Sequence, residues 1–140
     1  MIWLVRVYLF FMTLIYLWIG IWAILDPVFQ NLNLGYSSFL NVVGLSVTSP
    51  LGHSEIAGLY GGLNFCIGLM CLIGIFKADI GIFSLKFITF LVGSIAFGRI
   101  MSSLILMNQD FFNTYFIFEI FAFIAGITLI NLQKKLNKIT

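Results

Sequence analysis

The sequence predicts an all-α fold, a four-helix transmembrane bundle that forms one domain over residues 1–140. Composition is the first observation: 61% of the residues are apolar and only 9% are charged, whereas soluble domains carry roughly 25% charged residues. Length is the second, because four apolar runs each reach the roughly 20 residues that a helix needs to cross a bilayer. These runs are too long and too continuous for the alternating strands of a β-barrel.

The first two spans end at charged or helix-breaking residues. We expect the first at about residues 2–25, stopped by Asp26 and Pro27. It is expected to remain as an anchor, because no small-residue cleavage site of a signal peptide follows it. The second span is expected at about residues 55–76, where the polar run from Lys77 to Asp79 stops it.

The last two spans are expected on either side of a short turn from Asn108 to Asp110. The third is predicted at about residues 82–107 and the fourth at about residues 111–132. Gln133 then begins a basic tail that is typical of an anchor at an anionic lipid surface.

The connection between the first two spans, residues 26–53, is the only long one. Asp26 and Pro27 are typical of an N-cap and a first helical position. Apolar residues then recur at helical spacing, which predicts a short amphipathic cap lying at the interface or over the helix ends. These residues are Tyr36, Phe39, Leu40 and Val43, with Ser37, Ser38 and Asn41 on the other face.

Basic residues collect at one end of the alternating spans. The opposite loops carry acidic residues and no lysine or arginine. The positive-inside rule therefore predicts both termini in the cytoplasm and an extracytoplasmic cap. The basic residues at the cytoplasmic end are Arg6, Lys77, Lys86, Lys134, Lys135 and Lys138, and the acidic ones opposite are Asp26, Glu55 and Asp110.

Arg99 and Glu119 are opposite charges at matching depths in the last two spans. Each lies eight residues from its expected helix end, at Met107 or Phe111, which corresponds to about 12 Å at 1.5 Å per residue. We therefore expect the two side chains to pair. The pair either fixes the register of two helices or belongs to a ligand site, because an unpaired charge within a span costs about 2.5–3.5 kcal/mol.

The second span places polar residues at a similar depth. Asn64 lies nine residues after Glu55, with Tyr60 between them. We expect Glu55, Tyr60 and Asn64 to complete a polar cluster around Arg99. Small residues spaced for close helix approach are expected to mark the packing faces of this cluster. They are Gly58, Gly62, Gly98 and Ser102.

Motifs for other chemistry are missing from the sequence. Cys66 and Cys71 are five residues apart on one helix, too far for the usual disulfide Cα separation of roughly 4.4–6.8 Å. A single histidine, His53, does not make a bis-histidine haem or a multi-histidine metal site. We therefore expect no catalytic residue, no metal, no cofactor and no nucleic-acid partner, and a protein that is not an enzyme.

Three motifs in order along the chain resemble a known family. They are the run from Glu55 through Tyr60-Gly61-Gly62, then Gly98-Arg99, then Glu119. They resemble a domain-of-unknown-function family of small four-span bacterial membrane proteins, and more distantly the DoxX-like four-helix membrane proteins. The resemblance covers nearly the whole chain. It implies a four-helix bundle in the bacterial inner membrane and implies no activity.

Two functional hypotheses remain open at this point. In the first, the protein is a non-catalytic accessory or assembly subunit, whose partners are the lipid bilayer and other membrane subunits or a second copy. In the second, it is a binding or transport module with an outer-leaflet pocket for a small amphipathic or anionic ligand. A lipid, quinone or carboxylic acid would place its polar head near Arg99, Glu55, Asn64 and Tyr60.

Overall fold

The computed structural model describes residues 1–32, 35, 37–106 and 112–136. Over these residues the regular structure is entirely helical. Four helical stretches are long and apolar enough to cross a membrane, each with a mean hydropathy between 1.9 and 2.1. The prediction of an all-α protein with four spanning helices is therefore confirmed, and such spans imply a lipid bilayer environment.

The described chain contains six α-helices and one π-helical segment. The second span, Pro50–Phe76, is built from two of the α-helices with the π-helical segment between them. Lys77 alone separates the second span from the third. In chain order the elements are α1 Trp3–Asn31, α2 Phe39–Val43, α3 Pro50–Ile56, the π-helical segment Ala57–Gly62, α4 Leu63–Phe76, α5 Ala78–Leu106 and α6 Thr114–Leu136.

Some of the predicted features fall outside the described residues. The turn from Asn108 to Asp110 is one of them, and so are the two predicted helix ends that flank it. The others are single positions in the predicted cap and in the basic tail. In full, they are Met107, Asn108, Asp110, Phe111, Tyr36 and Lys138.

The first span does not stop at Asp26 and Pro27, as the sequence predicted. Helix α1 continues through both residues to Asn31. A proline inside a membrane helix is tolerated when nearby groups satisfy the freed backbone, so its presence does not mark a helix end here. Asp26 therefore lies inside α1 and is not the N-cap of a helix that begins at Pro27. Its carboxylate accepts hydrogen bonds from Ser38 and Phe39 instead.

The second span begins five residues before the predicted start at Glu55. Pro50 is the first residue of α3, and the Ser49 hydroxyl accepts the Gly52 N–H at 3.2 Å as an N-cap. Serine followed by proline at the first helical position is a recognised helix start. His53 therefore lies in a helix and not in a loop.

The last two spans also differ from their predicted bounds. Helix α5 begins at Ala78, four residues before the predicted start, with Asp79 favourably placed in its first turn. Helix α6 begins at Thr114, because the Asn113 side-chain oxygen accepts the Phe116 N–H at 3.0 Å as a cap. It continues to Leu136, with Lys134 and Lys135 in its last turn, where basic residues interact favourably with the helix dipole.

Contacts divide the chain into two units, and the first contains the described parts of residues 1–9 and 73–140. Here α5 packs along α6. The start of α1 is joined to α6 by two hydrogen bonds: the Tyr8 hydroxyl donates to the Ala122 carbonyl at 3.1 Å, and the Ile2 N–H donates to the Gln133 side-chain oxygen at 3.0 Å. The fully buried apolar residues include Val5, Leu9, Leu85, Ile88 and Val92.

The second unit contains the described parts of residues 10–72. In it α1 packs against the second span where glycines face bulky residues, with Gly20 against Phe65 and Gly68 against Leu17. A Cβ atom added at Gly20 would lie 2.5 Å from the Phe65 backbone nitrogen, so only glycine permits this approach. That the two units form one domain, as the sequence predicts, stays a prediction.

Helix α2 is the described part of the predicted amphipathic cap. The Asp26 carboxylate accepts the Phe39 N–H at 2.7 Å and the Ser38 hydroxyl at 2.9 Å, which satisfies a free donor at the start of α2. Gly44 ends the helix with φ of 71°, a left-handed conformation that glycine adopts without strain. The buried Phe39 ring contacts the rings of Trp22 and Tyr60.

Candidate functional site

Arg99 on α5 and Glu119 on α6 form an ion pair. The Arg99 Nε–H donates to both carboxylate oxygens of Glu119, at 3.0 Å to Oε1 and 2.9 Å to Oε2. The side chain of Glu119 is 9% exposed and that of Arg99 is 38% exposed. The acid is therefore enclosed by the two packed helices, whereas the base extends to their surface.

The geometry of this pair leaves most of the guanidinium unused. An arginine side chain has five N–H donors, and Glu119 takes only the one on Nε. Among the described residues, the two terminal nitrogens of Arg99 meet no acceptor. The ring of Tyr115, one turn before Glu119, lies 5.9 Å from the Arg99 Cζ atom, close enough for a cation–π attraction.

The pair lies near one end of both helices. Arg99 is seven residues before the end of α5 at Leu106, and Glu119 is five residues after the start of α6 at Thr114. These separations correspond to about 10 Å and about 8 Å along the helix axes. A side chain as long as arginine can extend its charged end from this depth toward the membrane interface.

Two chemical roles are compatible with this arrangement. The positive charge of the Arg99 guanidinium offsets that of the enclosed Glu119 carboxylate, and the shared Nε–H bond fixes the register of α5 against α6. The remaining four N–H donors can bind an acceptor outside the chain, for which carboxylate and phosphate oxygens have matching geometry. Both roles can operate in the same protein.

The structure places the other predicted cluster residues in the second unit. The Asn64 amide donates to the Tyr60 carbonyl at 2.6 Å, within its own span. The Tyr60 ring packs edge-on against Phe39, with ring centroids 5.7 Å apart. Glu55 is exposed in the last turn of α3. That these residues join Arg99 in one cluster stays a prediction.

The hydrogen bond from the Asn64 side chain to the Tyr60 carbonyl is explained by the helix geometry at this point of the span. Residues Ala57–Gly62 form a π-helical segment, in which backbone bonds run from one residue to the fifth after it. The Tyr60 carbonyl lies in this widened turn, and the Asn64 side chain supplies it with a donor. Glycine is frequent in the segment, whose sequence is AGLYGG, and its permissive backbone suits the irregular turn.

The predicted packing residues do not lie at helix contacts within the described chain. A Cβ atom added at Gly58 or Gly98 would meet no atom within 4 Å, and one at Gly62 would meet only the Ala57 carbonyl, at 3.8 Å. Ser102 is exposed. No described part of the chain covers these small residues, so that they pack against a helix stays a prediction.

The close approaches occur at other glycines. On α6, Gly126 lies against the Thr89 side chain of α5. Gly61 lies against Ile24 in the second unit, and a Cβ added there would lie 2.6 Å from the Ile24 Cγ1 atom. Gly126 shares a helical stripe with Ala122 and Glu119, four and seven residues earlier, and this spacing was the available signal.

Asp26 is the polar residue whose role the sequence analysis missed. It is only 6% exposed, yet it belongs to a span and has no basic partner among the described residues. Its partners are the N–H and hydroxyl groups at the start of α2. The sequence gives only a weak signal for this cap. Asp26 lies 12 residues before Ser38, and no local motif shows that its carboxylate bonds to the start of α2.

The structure also places the two cysteines and the single histidine. Cys66 is an exposed thiol, Cys71 is buried, and neither is in a disulfide. His53 is exposed. Over the described residues, no group of three or more histidine, cysteine, aspartate or glutamate side chains is placed to hold a metal ion.

Comparison with known proteins gives one match. The sequence profile of a family described as Domain of unknown function (DUF4345) matches residues 4–130. No curated protein and no solved structure matches the chain significantly. The matched range contains Arg99 and Glu119. It also contains Glu55, Tyr60 and Asn64, the residues of the second unit that the sequence predicts beside Arg99.

Proposed function

The chain belongs to the DUF4345 family of domains of unknown function, and we propose that it acts as a non-catalytic accessory or assembly subunit of a membrane complex. The observation that carries the proposal is a ladder of small residues on the exposed side of α5. We call it the α5 ladder, and it consists of Ser94, Gly98 and Ser102.

The α5 ladder has the properties of a helix contact that lacks its partner. Its residues are four apart, the spacing that lets two membrane helices approach closely. All three are exposed, and a Cβ atom at Gly98 would meet nothing within 4 Å. Within the described chain this close-approach surface is therefore unoccupied, whereas the glycines at internal contacts are covered.

Arg99 adds polar specificity to this surface. It directly follows Gly98 in the sequence, and its side chain is 38% exposed with four N–H donors unused by Glu119. A partner helix seated on the α5 ladder would bring its own side chains close to these donors. We propose that the partner carries an acceptor there, such as a carboxylate, an amide or a hydroxyl.

The location follows from the same proposal. We infer a bacterial inner membrane, with both termini in the cytoplasm and helix α2 outside. The basic residues at one end of the spans support this orientation, since Arg6, Lys77 and Lys134 are all exposed there. The partner is another membrane subunit or a second copy of the chain.

Native mass spectrometry of the protein released from its own membrane in mild detergent tests the proposal. We expect a bound protein subunit in wild type and its loss in Gly98→Leu, because leucine would block close approach. Gly58→Leu is the matched control, since it adds the same side chain at a position that is equally open in the chain. A Gly98→Leu variant that retains its subunit, or a wild type that carries none, would show the proposal to be wrong.

A second candidate function is supported by the unused donors of Arg99. A small amphipathic ligand with an anionic or acceptor head, such as a lipid, quinone or carboxylic acid, would satisfy them from an outer-leaflet pocket. Glu55, Tyr60 and Asn64 are the proposed further contacts. The same spectra test this function: a small molecule retained by wild type, and lost in an Arg99→Gln variant that still folds, would support it.

A further inference from the structure

A small cavity lies between α5 and α6 toward the end opposite to the Arg99–Glu119 pair. Its free volume is about 80 Å³. Three apolar residues form part of its wall, and two lysines and a glutamine form the rest. The lining residues are Ile82, Leu85, Lys86, Ile130, Gln133 and Lys134.

The glutamine provides a fixed polar wall. Gln133 is only 6% exposed, although it lies in the last turns of α6. Its side-chain oxygen accepts the Ile2 N–H at 3.0 Å, which ties the amide to the start of α1. This bond holds the amide in one orientation, so this part of the cavity wall is not a mobile surface side chain.

The two lysines both contribute positive charge to the cavity. Lys86 and Lys134 come from different helices and line the same cavity. Among the described residues, the only ion pair is the one between Arg99 and Glu119, so neither lysine has an acidic partner there. Two ammonium groups at one cavity repel each other, and an anion between them would remove the repulsion.

The position of Lys86 suits such an anion. Lys86 lies eight residues after the start of α5 at Ala78, about 12 Å along the axis. Side chains on a helix lean toward its N-terminus, so the lysine extends toward the end of the span where Lys134 lies. Its apolar stem then follows Ile82, one turn earlier, while its charge approaches the membrane surface.

We propose that this cavity, which we call the Lys86–Lys134 site, binds a phosphate group. The ammonium groups of both lysines would donate to phosphate oxygens above the fixed amide of Gln133. A volume of about 80 Å³ equals that of two or three water molecules at about 30 Å³ each. It therefore has room for the oxygens of one phosphate.

The source of the phosphate is either a lipid head group or a free anion. Basic pockets between membrane helices are a recurring way to bind anionic lipid heads. The apolar residues beside the cavity would face the first part of the acyl chains. The proposal is independent of the proposed partner contact, because it uses the other end of α5 and α6 and no side chain of the α5 ladder or of the Arg99–Glu119 pair.

Binding titrations with defined probes test the Lys86–Lys134 site. The purified protein, in an uncharged detergent, is titrated with short-chain phosphatidylglycerol, with diacylglycerol of the same acyl chains, which lacks the phosphate, and with inorganic phosphate. Native mass spectrometry and the melting temperature report binding. We expect phosphatidylglycerol or inorganic phosphate to bind and to raise the melting temperature, and diacylglycerol to do so much less.

Variants then assign the binding to the cavity. We expect a loss of affinity of about fivefold for Lys86→Gln or Lys134→Gln, and of roughly 30-fold for the double variant. Lys135→Gln is the matched control, because Lys135 is exposed on the same turn and does not line the cavity. If the double variant does not fold, the single variants carry the same comparison.

Each outcome decides the proposal. Binding of phosphatidylglycerol alone identifies a lipid head group, and equal binding of inorganic phosphate identifies a free anion. Equal binding of phosphatidylglycerol and diacylglycerol without any response to phosphate would overturn it, as would no binding of any probe. So would unchanged affinity in the lysine variants, or an equal loss in Lys135→Gln, which would indicate a general attraction to the basic tail.

Discussion

The Nε–H group of Arg99 is shared between both carboxylate oxygens of Glu119, at 3.0 and 2.9 Å. One donor thus joins α5 to α6, while the other four N–H donors of the guanidinium are not bonded to Glu119. The structural role and the outward role of this arginine therefore use different N–H groups. Variants can separate these two roles.

Glu119→Gln is expected to destabilise the protein by about 1–2 kcal/mol. The loss is smaller than the 3–5 kcal/mol typical of a broken buried pair, because the Arg99 side chain is 38% exposed and can be partly solvated. Arg99→Gln combined with Glu119→Gln should recover part of this loss, since no charge is then left unpaired. Unfolding in mixed detergent micelles measures both, and a double variant no more stable than Glu119→Gln would argue against the pair.

Exchanging the two charges separates folding from recognition. Arg99→Glu with Glu119→Arg keeps an ion pair between α5 and α6, so we expect most of the melting temperature to be retained. The outward donors of position 99 are lost, however, so a bound partner or ligand should be released. The measurement is native mass spectrometry beside a melting curve. Retention of the bound species would show that Arg99 does not recognise it.

Gly20→Ala is expected to cost about 1–3 kcal/mol, the usual penalty for overpacking. The added Cβ atom would lie 2.5 Å from the Phe65 backbone nitrogen, which cannot move aside as a side chain can. Gly98→Ala is the control, because its Cβ atom would meet nothing within 4 Å. Thermal unfolding of the isolated protein should show a loss only at position 20, and equal melting temperatures would contradict the contact.

Asp26→Ala should loosen helix α2 without disturbing the rest of the second unit. The variant removes the acceptor of the Phe39 N–H and of the Ser38 hydroxyl, a change comparable to the loss of an N-cap at about 1 kcal/mol. Hydrogen exchange at residues 39–43 is the measurement, and we expect it to accelerate roughly fivefold. Asp79→Ala, in the first turn of α5, serves as control. Unchanged exchange would show that α2 does not depend on Asp26.

The spanning helices were predictable because hydropathy acts on whole segments. The ends of those helices were less predictable, and the reason differs from one end to another. Pro27 is a strong breaker in water but is accommodated within α1. The Ser49-Pro50 pair is a readable signal for a helix start, whereas the charge at Glu55 predicts a later one. The π-helical segment leaves no periodic signal, because it interrupts the helical repeat for only six residues.

The candidate site was predictable to the extent that depth determines contact. Arg99 and Glu119 lie on consecutive spans joined by a short connection, so counting residues from the connection brings them together. Counting does not give the face of a helix that a neighbour covers. Gly98 and Gly126 look alike in sequence, yet the first is open and the second lies against Thr89. That distinction depends on how the helices pack, which one sequence does not contain.

Lys77 is the one residue between α4 and α5, and its backbone remains hydrogen-bonded on both sides. Its N–H donates to the Ile73 carbonyl at 3.0 Å, and its carbonyl accepts the Gly81 N–H at 2.8 Å. Gly74 and Gly81 lie against each other beside it. Because a single residue joins the two spans, the position of one in the bilayer sets the position of the other, and we expect the turn with Lys77 and Asp79 to stay at one membrane surface during biosynthesis, since carrying its charges across the bilayer would be costly.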